Sequence, residues 1–467
     1  MYYLEALYFL NPVLIAFVLT LILAALLPAG FMKMPYNLVA LIGSLALAIR
    51  GCKGLCHKLD TSYFTDIVVN DAVTSFSCLF LGIAAFVFFT MAPRYLDRKG
   101  IHSGEFYLLS LVSLSGMVLT VSTRHFTGLI MGIETMTIPL YFIIAMDKSH
   151  NEGRLAALKY LILGGVGSSI LIYGVALIYG DSGSLAYSAI SSSAPTHLFT
   201  IGATFLLGGF LFKTGAFPFH AWVPDVYGSS PTPLTGFMAT TVKLTAVIAM
   251  YNLFIPLIDH SDIIRDSLLP VIAIITMTLG NLMALRHNKP KLVLAYSSIA
   301  HTGYLLVGFC SGSEMGSSGI LYYLAVYVLM TLGAFAVLSS VPDDDPKFLQ
   351  GIVHRKPILA IIFAICILSL AGVPPFGGFI GKFFVFQGAW ATEHYILVGA
   401  AILNSLIALG YYIPLVRWVL FEEPGSTQDQ TSSSIYLYLS CFICAAGVIV
   451  TGVYPMWLSK MIALIVT

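Results

Sequence analysis

The chain has 467 residues, of which 58% are hydrophobic and 10% charged, with a mean hydropathy of +0.90. Its 23 Lys+Arg and 22 Asp+Glu cannot cover the surface of a soluble domain, so it reads as an integral membrane protein. A net charge of +1 excludes a nucleic-acid footprint and a polybasic membrane patch.

Apolar spans of about 20 residues, bounded by Gly, Pro or charged connections, recur roughly fourteen times. The first, at 12–32, has no basic segment before it and exceeds a signal-peptide core, which predicts a retained helix. Spans at 36–50 and 72–93 follow, joined by a polar connection that includes "GCKGLC" at 51–56; unpaired thiols are favoured there over a loop disulfide. The cysteines form no paired CxxC sets, and Cys78, Cys310, Cys366, Cys441 and Cys444 have no neighbouring His ligands, which argues against zinc, haem and iron–sulfur centres. The remaining spans are 106–123, 125–146, 155–179, 198–225, 233–256, 267–286, 290–311, 316–341, 356–390, 396–420 and 435–464. Period-2 alternation is absent, so a β-barrel is excluded.

With both termini on the non-cytoplasmic side, the cytoplasmic connections carry thirteen cations, among them Lys33, Lys148, Lys291 and Lys347. The opposite side carries six: Arg50, Lys53, Lys58, Arg124, Arg265 and Lys460. That excess follows the positive-inside rule for an even number of spans. The four cations left over, Lys159, Lys213, Lys243 and Lys382, fall inside spans. A lysine near the bilayer centre costs about 2.5–3.5 kcal/mol, so leucine would serve stability better.

Only one acid, Glu134 in "GLIMGIETMTIPLYFII", lies well inside a span. A buried lysine facing a carboxylate can be switched between charged and neutral forms by moving its partner, which points to a proton path. A static ion pair is the competing reading for Glu134 and Lys213. For Lys159, one turn into its span, the competing reading is a side chain snorkelling to the cytoplasmic face.

Two stretches break their own helices. In "FKTGAFPFHAWVPDVYGSSPTP", residues 212–233, Pro218 clashes with the Thr214 carbonyl beside Lys213. In "LAGVPPFGGFIGKFFVF", residues 370–386, Pro374, Pro375, Gly377 and Gly378 interrupt the span before Lys382. Paired breaks, each with a lysine, are the pattern of a transporter built from two repeats, and the reversed order of lysine and proline is compatible with inversion. Between them, His301 in "AYSSIAHTGYLLVGF" sits among Tyr296, Ser297, Ser298 and Tyr304, a setting for a proton relay through bridging waters.

These segments, together with "GIETMTIPLYFI", "AALKYLILGGVGSSILIYGVALIYG" and "LVLAYSSIAHTGYLLVG", resemble the signature segments of the antiporter-like, proton-translocating subunits of respiratory complex I, with the subunit N branch of NADH-quinone oxidoreductase fitting best. The resemblance covers about residues 105–420. It implies an all-α membrane protein of about fourteen transmembrane helices. Helices 1–3 would occupy 1–104, two inverted five-helix repeats (helices 4–8 and 9–13) would occupy 105–260 and 261–425, helices 7 and 12 would be broken, and helix 14 would occupy 426–467. It implies that Glu134 pairs with Lys213, that Lys159 extends this network, that Lys243 connects the halves through His301, and that Lys382 serves the second half-channel.

The resemblance further implies no cofactor in this chain, with NADH, FMN, iron–sulfur clusters and quinone held by partner subunits of the NADH:quinone oxidoreductase. Its partners would be other membrane-arm subunits and the lipid bilayer, in the cell inner (plasma) membrane, with no nucleic acid. The alternatives are a cation/proton antiporter subunit, or an ion-translocating subunit of a membrane-bound hydrogenase or of a ferredoxin- or F420-linked dehydrogenase.

Overall fold

The computed structural model describes residues 36–57, 61–63, 67–101, 103–147, 151–189, 196–258, 263–342, 345–423 and 434–466. The span expected at 12–32, and Lys33, Lys58 and Lys148, lie outside the described residues. The described chain is a large all-α bundle. Twelve of its helices are long and apolar enough to cross a membrane, and Pro357–Ala371 and Met456–Val466 are shorter apolar ones.

In chain order the helices are α1 (Tyr36–His57), α2 (Ala72–Lys99), α3 (Ser103–Ser122), α4 (Phe126–Ile144), α5 (Asn151–Ser182), α6 (His197–Thr214) and α7 (Trp222–Ser229). Next, α8 runs from Thr232–Phe237 through a wide π turn, Met238–Val242, into Lys243–Ile258, and α9 runs from the π turn Ile263–Leu268 into Leu269–Ala284. The rest are α10 (Pro290–Cys310), α11 (Glu314–Ser340), α12 (Pro357–Ala371), α13 (Gly377–Ala391), α14 (Tyr395–Leu420), α15 (Ile435–Val453) and α16 (Met456–Val466).

Lipid offers no partner for a free N–H or C=O, so helices satisfy their backbone internally and cap their ends. Asp71 accepts from Thr74 N–H at the start of α2, and left-handed Gly100 (φ 63°) closes its end. Asp71 also pairs with Arg124, which ties the start of α2 to the α3–α4 connection. The bundle is centred on α11, which is enclosed along its whole apolar length, with α8 and α10 nearly so. α12, α13 and α15 all pack on α11. Close approach comes from small residues: a Cβ on Gly82 of α2 would stand 2.4 Å from the Ala48 backbone nitrogen of α1.

Four details differ from the sequence reading. α1 continues to His57, so Arg50, Cys52, Lys53 and Cys56 are helical rather than in a loop, and both thiols are free and exposed. The continuation is held by Gly51 and Gly54, which let α1 lie against Ser75 and Leu79 of α2. The connection after it forms a small hairpin, Thr61–Tyr63 with Val68–Asn70. The span at 435–464 is two helices, because Pro455 has no N–H to continue α15. Lys291, read as a loop cation, is buried at the start of α10 and donates to the Ser230 carbonyl.

Candidate functional site

α6 ends at Thr214, where Gly215 adopts the left-handed conformation (φ 73°) and the chain leaves the helix axis before Pro218. The freed backbone groups find partners in protein. Thr302 Oγ1 of α10 donates to the Thr214 carbonyl (2.9 Å), Trp222 Nε1 to the Phe212 carbonyl (3.1 Å), and Phe217 N–H to Thr276 Oγ1 of α9 (3.1 Å). Trp222 is stacked on Tyr160 and Phe212, which fixes the start of α7 against α5 and α6.

α12 ends in the same way. Gly372 is left-handed (φ 84°), Pro374 and Pro375 follow, and α13 begins at Gly377. Pro218 and Pro375 each stand three residues after their left-handed glycine, and both peptide bonds preceding them are cis.

Lys213, in the last turn of α6, is buried and donates to Ser168 Oγ of α5 (3.2 Å). Glu134 on α4 is half-buried and makes no salt bridge within 4.0 Å to Lys213. Lys159 is half-exposed and pairs with the half-exposed Asp225 of α7 at 2.7 Å. Nothing in the sequence around Asp225 signals this pair, because its partner lies 66 residues away on α5.

Lys243 is the first residue after the π turn of α8, and is buried. Its Nζ donates to the carbonyl and hydroxyl of Ser298 on α10 (both 2.5 Å) and lies 3.4 Å from Tyr327 OH of α11, which itself donates to Ser298 Oγ (3.1 Å). Wide turns of this kind often mark functional positions, because the extra residue redirects the side chains around it.

One turn along α10, His301 is buried between two phenols. Nδ1 is 2.5 Å from Tyr323 OH of α11 and Nε2 is 3.0 Å from Tyr412 OH of α14. Each phenol can donate or accept, so the imidazole has a proton partner on both sides. Tyr323 and Tyr412 are additions that the sequence reading did not make, while Tyr296, Ser297 and Tyr304 hold no hydrogen bond to His301.

Lys382 on α13 is buried. Its Nζ donates to the carbonyls of Leu370 (3.3 Å) and Ala371 (3.1 Å) at the end of α12 and sits 4.7 Å above the Tyr304 ring. It borders a largely apolar cavity of about 420 Å³ with Pro374, Phe379 and Ser405. Among the described residues, none of Lys213, Lys243 and Lys382 has a carboxylate within 4.0 Å.

A second, polar cavity of about 170 Å³ opens where α7 meets α8, lined by Lys99, Asp147, Glu152, Ser230, Lys289 and Lys291. Among the described residues, no group of three His, Cys, Asp or Glu side chains is arranged to hold a metal ion.

The family described as "NADH:quinone oxidoreductase/Mrp antiporter, TM" matches residues 123–408. The chain is 35% identical to the NADH-quinone oxidoreductase subunit N of Trichlorobacter lovleyi over 432 residues, 90% of this chain and 87% of that one. It superposes on a chain of respiratory complex I from Thermus thermophilus with a TM-score of 0.84 at 30% identity, covering 97% of this chain and 99% of that one. It also superposes on a chain of the Mrp complex from Dietzia sp. with a TM-score of 0.86, covering 97% and 96%; at 17% identity that likeness speaks for the fold alone.

Proposed function

Because the chain belongs to the NADH:quinone oxidoreductase/Mrp antiporter family, in its subunit N branch, and is thus a membrane-arm, ion-translocating subunit of a respiratory complex I-type assembly, we propose that protons cross it along Glu134, Lys213, Lys243, His301 and Lys382. The observation that carries this reading is the row of three buried lysines and one buried histidine, held by hydroxyls and carbonyls rather than by carboxylates. A buried lysine with neutral partners is costly as a permanent charge and suited to intermittent protonation.

The polar cavity at the α7–α8 junction supports entry of protons there, on the side that the positive-inside rule makes cytoplasmic. Lys159 and Asp225 stand at the margin of the path rather than in it. The matching ends of α6 and α12, five spans apart and so running in opposite senses, support two inverted repeats at 105–260 and 261–425 with broken seventh and twelfth helices. On this reading Pro218, Pro374 and Pro375 keep the breaks open. NADH, FMN, iron–sulfur clusters and quinone belong to partner subunits, and this subunit, in the cell inner membrane, contributes to NADH:quinone oxidoreductase activity by proton translocation alone.

The test is proton transport by the assembled complex in membrane vesicles carrying Glu134→Ala, Lys213→Ala or Lys382→Ala, with the exposed Lys347→Ala as a control. The three path variants should assemble and pump poorly, and Lys347→Ala should match the parent. Parental pumping by the path variants, or equal damage from Lys347→Ala, overturns the assignment.

A further inference from the structure

We propose that Asn281 of α9, clamped to Asn404 of α14, is a positioning residue for proton transfer at His301. The proposal rests on the proton-path reading above. Asn281 is fully buried and has both ends of its amide engaged. Oδ1 accepts from Tyr411 OH at 2.9 Å, and Nδ2 donates to Asn404 Oδ1 at 3.0 Å and to the Asn404 carbonyl at 3.1 Å, with Tyr304 OH at 3.4 Å. Asn404 returns the link: its Nδ2 donates to Thr278 Oγ1, back on α9, at 3.2 Å. Two amides buried in an apolar bundle are expensive unless paired, and a leucine pair would fill the same space at lower cost. What the amides add is direction.

The groups they aim lie around His301. The Tyr411 ring packs on Tyr412 with centroids 4.4 Å apart, and the Tyr412 hydroxyl is the one 3.0 Å from His301 Nε2. Tyr304, which packs edge-on to His301, carries Lys382 over its face. Ser405, the residue after Asn404, lines the cavity that Lys382 borders. One amide pair therefore holds the phenol that exchanges a proton with His301 and the ring beneath Lys382 in a single frame. Transfer between imidazole and phenol needs an approach within hydrogen-bond reach, so a Tyr411 freed from Asn281 lets Tyr412 swing and lengthens the gap.

The experiment uses the complete complex in membrane vesicles, with Asn281→Leu, Tyr411→Phe, the double variant, and His301→Ala and Lys382→Ala alongside. Assembled complex, proton transport and the ratio of transport in H₂O to that in D₂O are measured. Asn281→Leu should lower transport per assembled complex by about tenfold or more, as sub-ångström misplacement of reacting groups does, and should raise the H₂O/D₂O ratio because proton transfer becomes limiting. Tyr411→Phe, which keeps the ring and removes only the hydroxyl, should do the same, and the double variant should be no worse than Asn281→Leu, since the residues act as one unit. Parental transport in either single variant, or a loss that only tracks assembly with an unchanged isotope ratio, overturns the proposal. If His301→Ala and Lys382→Ala also pump normally, the path itself fails; if they do not, only the clamp does.

Discussion

Gly378 offers a direct test of how closely the second break is built. Its N–H donates to Ser369 Oγ at 3.0 Å, so α13 starts against the last turn of α12. A Cβ there would stand 1.9 Å from the Ser369 carbonyl oxygen and 2.7 Å from its carbon, both backbone atoms that no rotamer change can move. Ordinary contact begins at 3.4 Å, so Gly378→Ala forces the two helices apart by about 1.5 Å along that line. Lys382 is one turn further along α13, and a shift of that size carries its Nζ out of reach of the Leu370 and Ala371 carbonyls, now 3.3 and 3.1 Å away. Overpacking of this kind costs about 1–3 kcal/mol, which a large bundle survives. A displacement on the order of 1 Å at a reacting group costs about 10²-fold in rate. Gly378→Ala should therefore assemble and yet pump about two orders of magnitude less, whereas Gly399→Ala on α14, whose Cβ meets nothing within 4 Å, should be harmless and gain up to ~1 kcal/mol of helix propensity. The assay is proton uptake into vesicles per assembled complex. Parental uptake by Gly378→Ala would show that the spacing of α12 and α13 does not govern Lys382.

Two further outcomes follow from the first break and its margin. Thr302→Val keeps the shape but leaves the Thr214 carbonyl without its hydroxyl partner, which should cost about 1–3 kcal/mol and lower the thermal unfolding temperature of the purified complex; an unchanged temperature would mean that water replaces the hydroxyl. Asp225→Asn breaks a pair whose members are both about half-exposed, an interaction of less than ~1 kcal/mol, so transport should fall by less than about fivefold; a loss as deep as that of Lys213→Ala would move Lys159 and Asp225 into the path.

The buried charges were readable from the sequence because a lysine in twenty apolar residues has no inexpensive explanation. Lys213, Lys243, Lys382 and His301 all turn out to be buried. Their partners were not readable, since Ser168, Ser298, Tyr323 and Tyr412 come from other helices and carry no local signature. Pro218 drew the eye as the cause of the first break, yet the helix has already ended at Thr214 through Gly215, an ordinary-looking residue whose left-handed turn only the backbone reveals. Asn281 and Asn404 are single polar residues in apolar runs, and periodicity, which places each on a helix face, cannot say that the two faces meet. The π turn ahead of Lys243 and the burial of Lys291 depend likewise on what packs across from them.

The carbonyls that hold Lys382 are the last two of α12, where the aligned peptide dipoles leave roughly half an elementary negative charge. That counter-charge is part of the main chain and does not titrate. On the proposed path, release of a proton by Lys382 leaves no bare carboxylate within 4.0 Å among the described residues. In that proposal the Lys382 site stores one bit, in a single ammonium, against a permanent electrostatic background. No side-chain substitution at the two carbonyl positions erases that background. Only bending the end of α12 away does, so the mechanical setting of one helix end is itself an electrical variable.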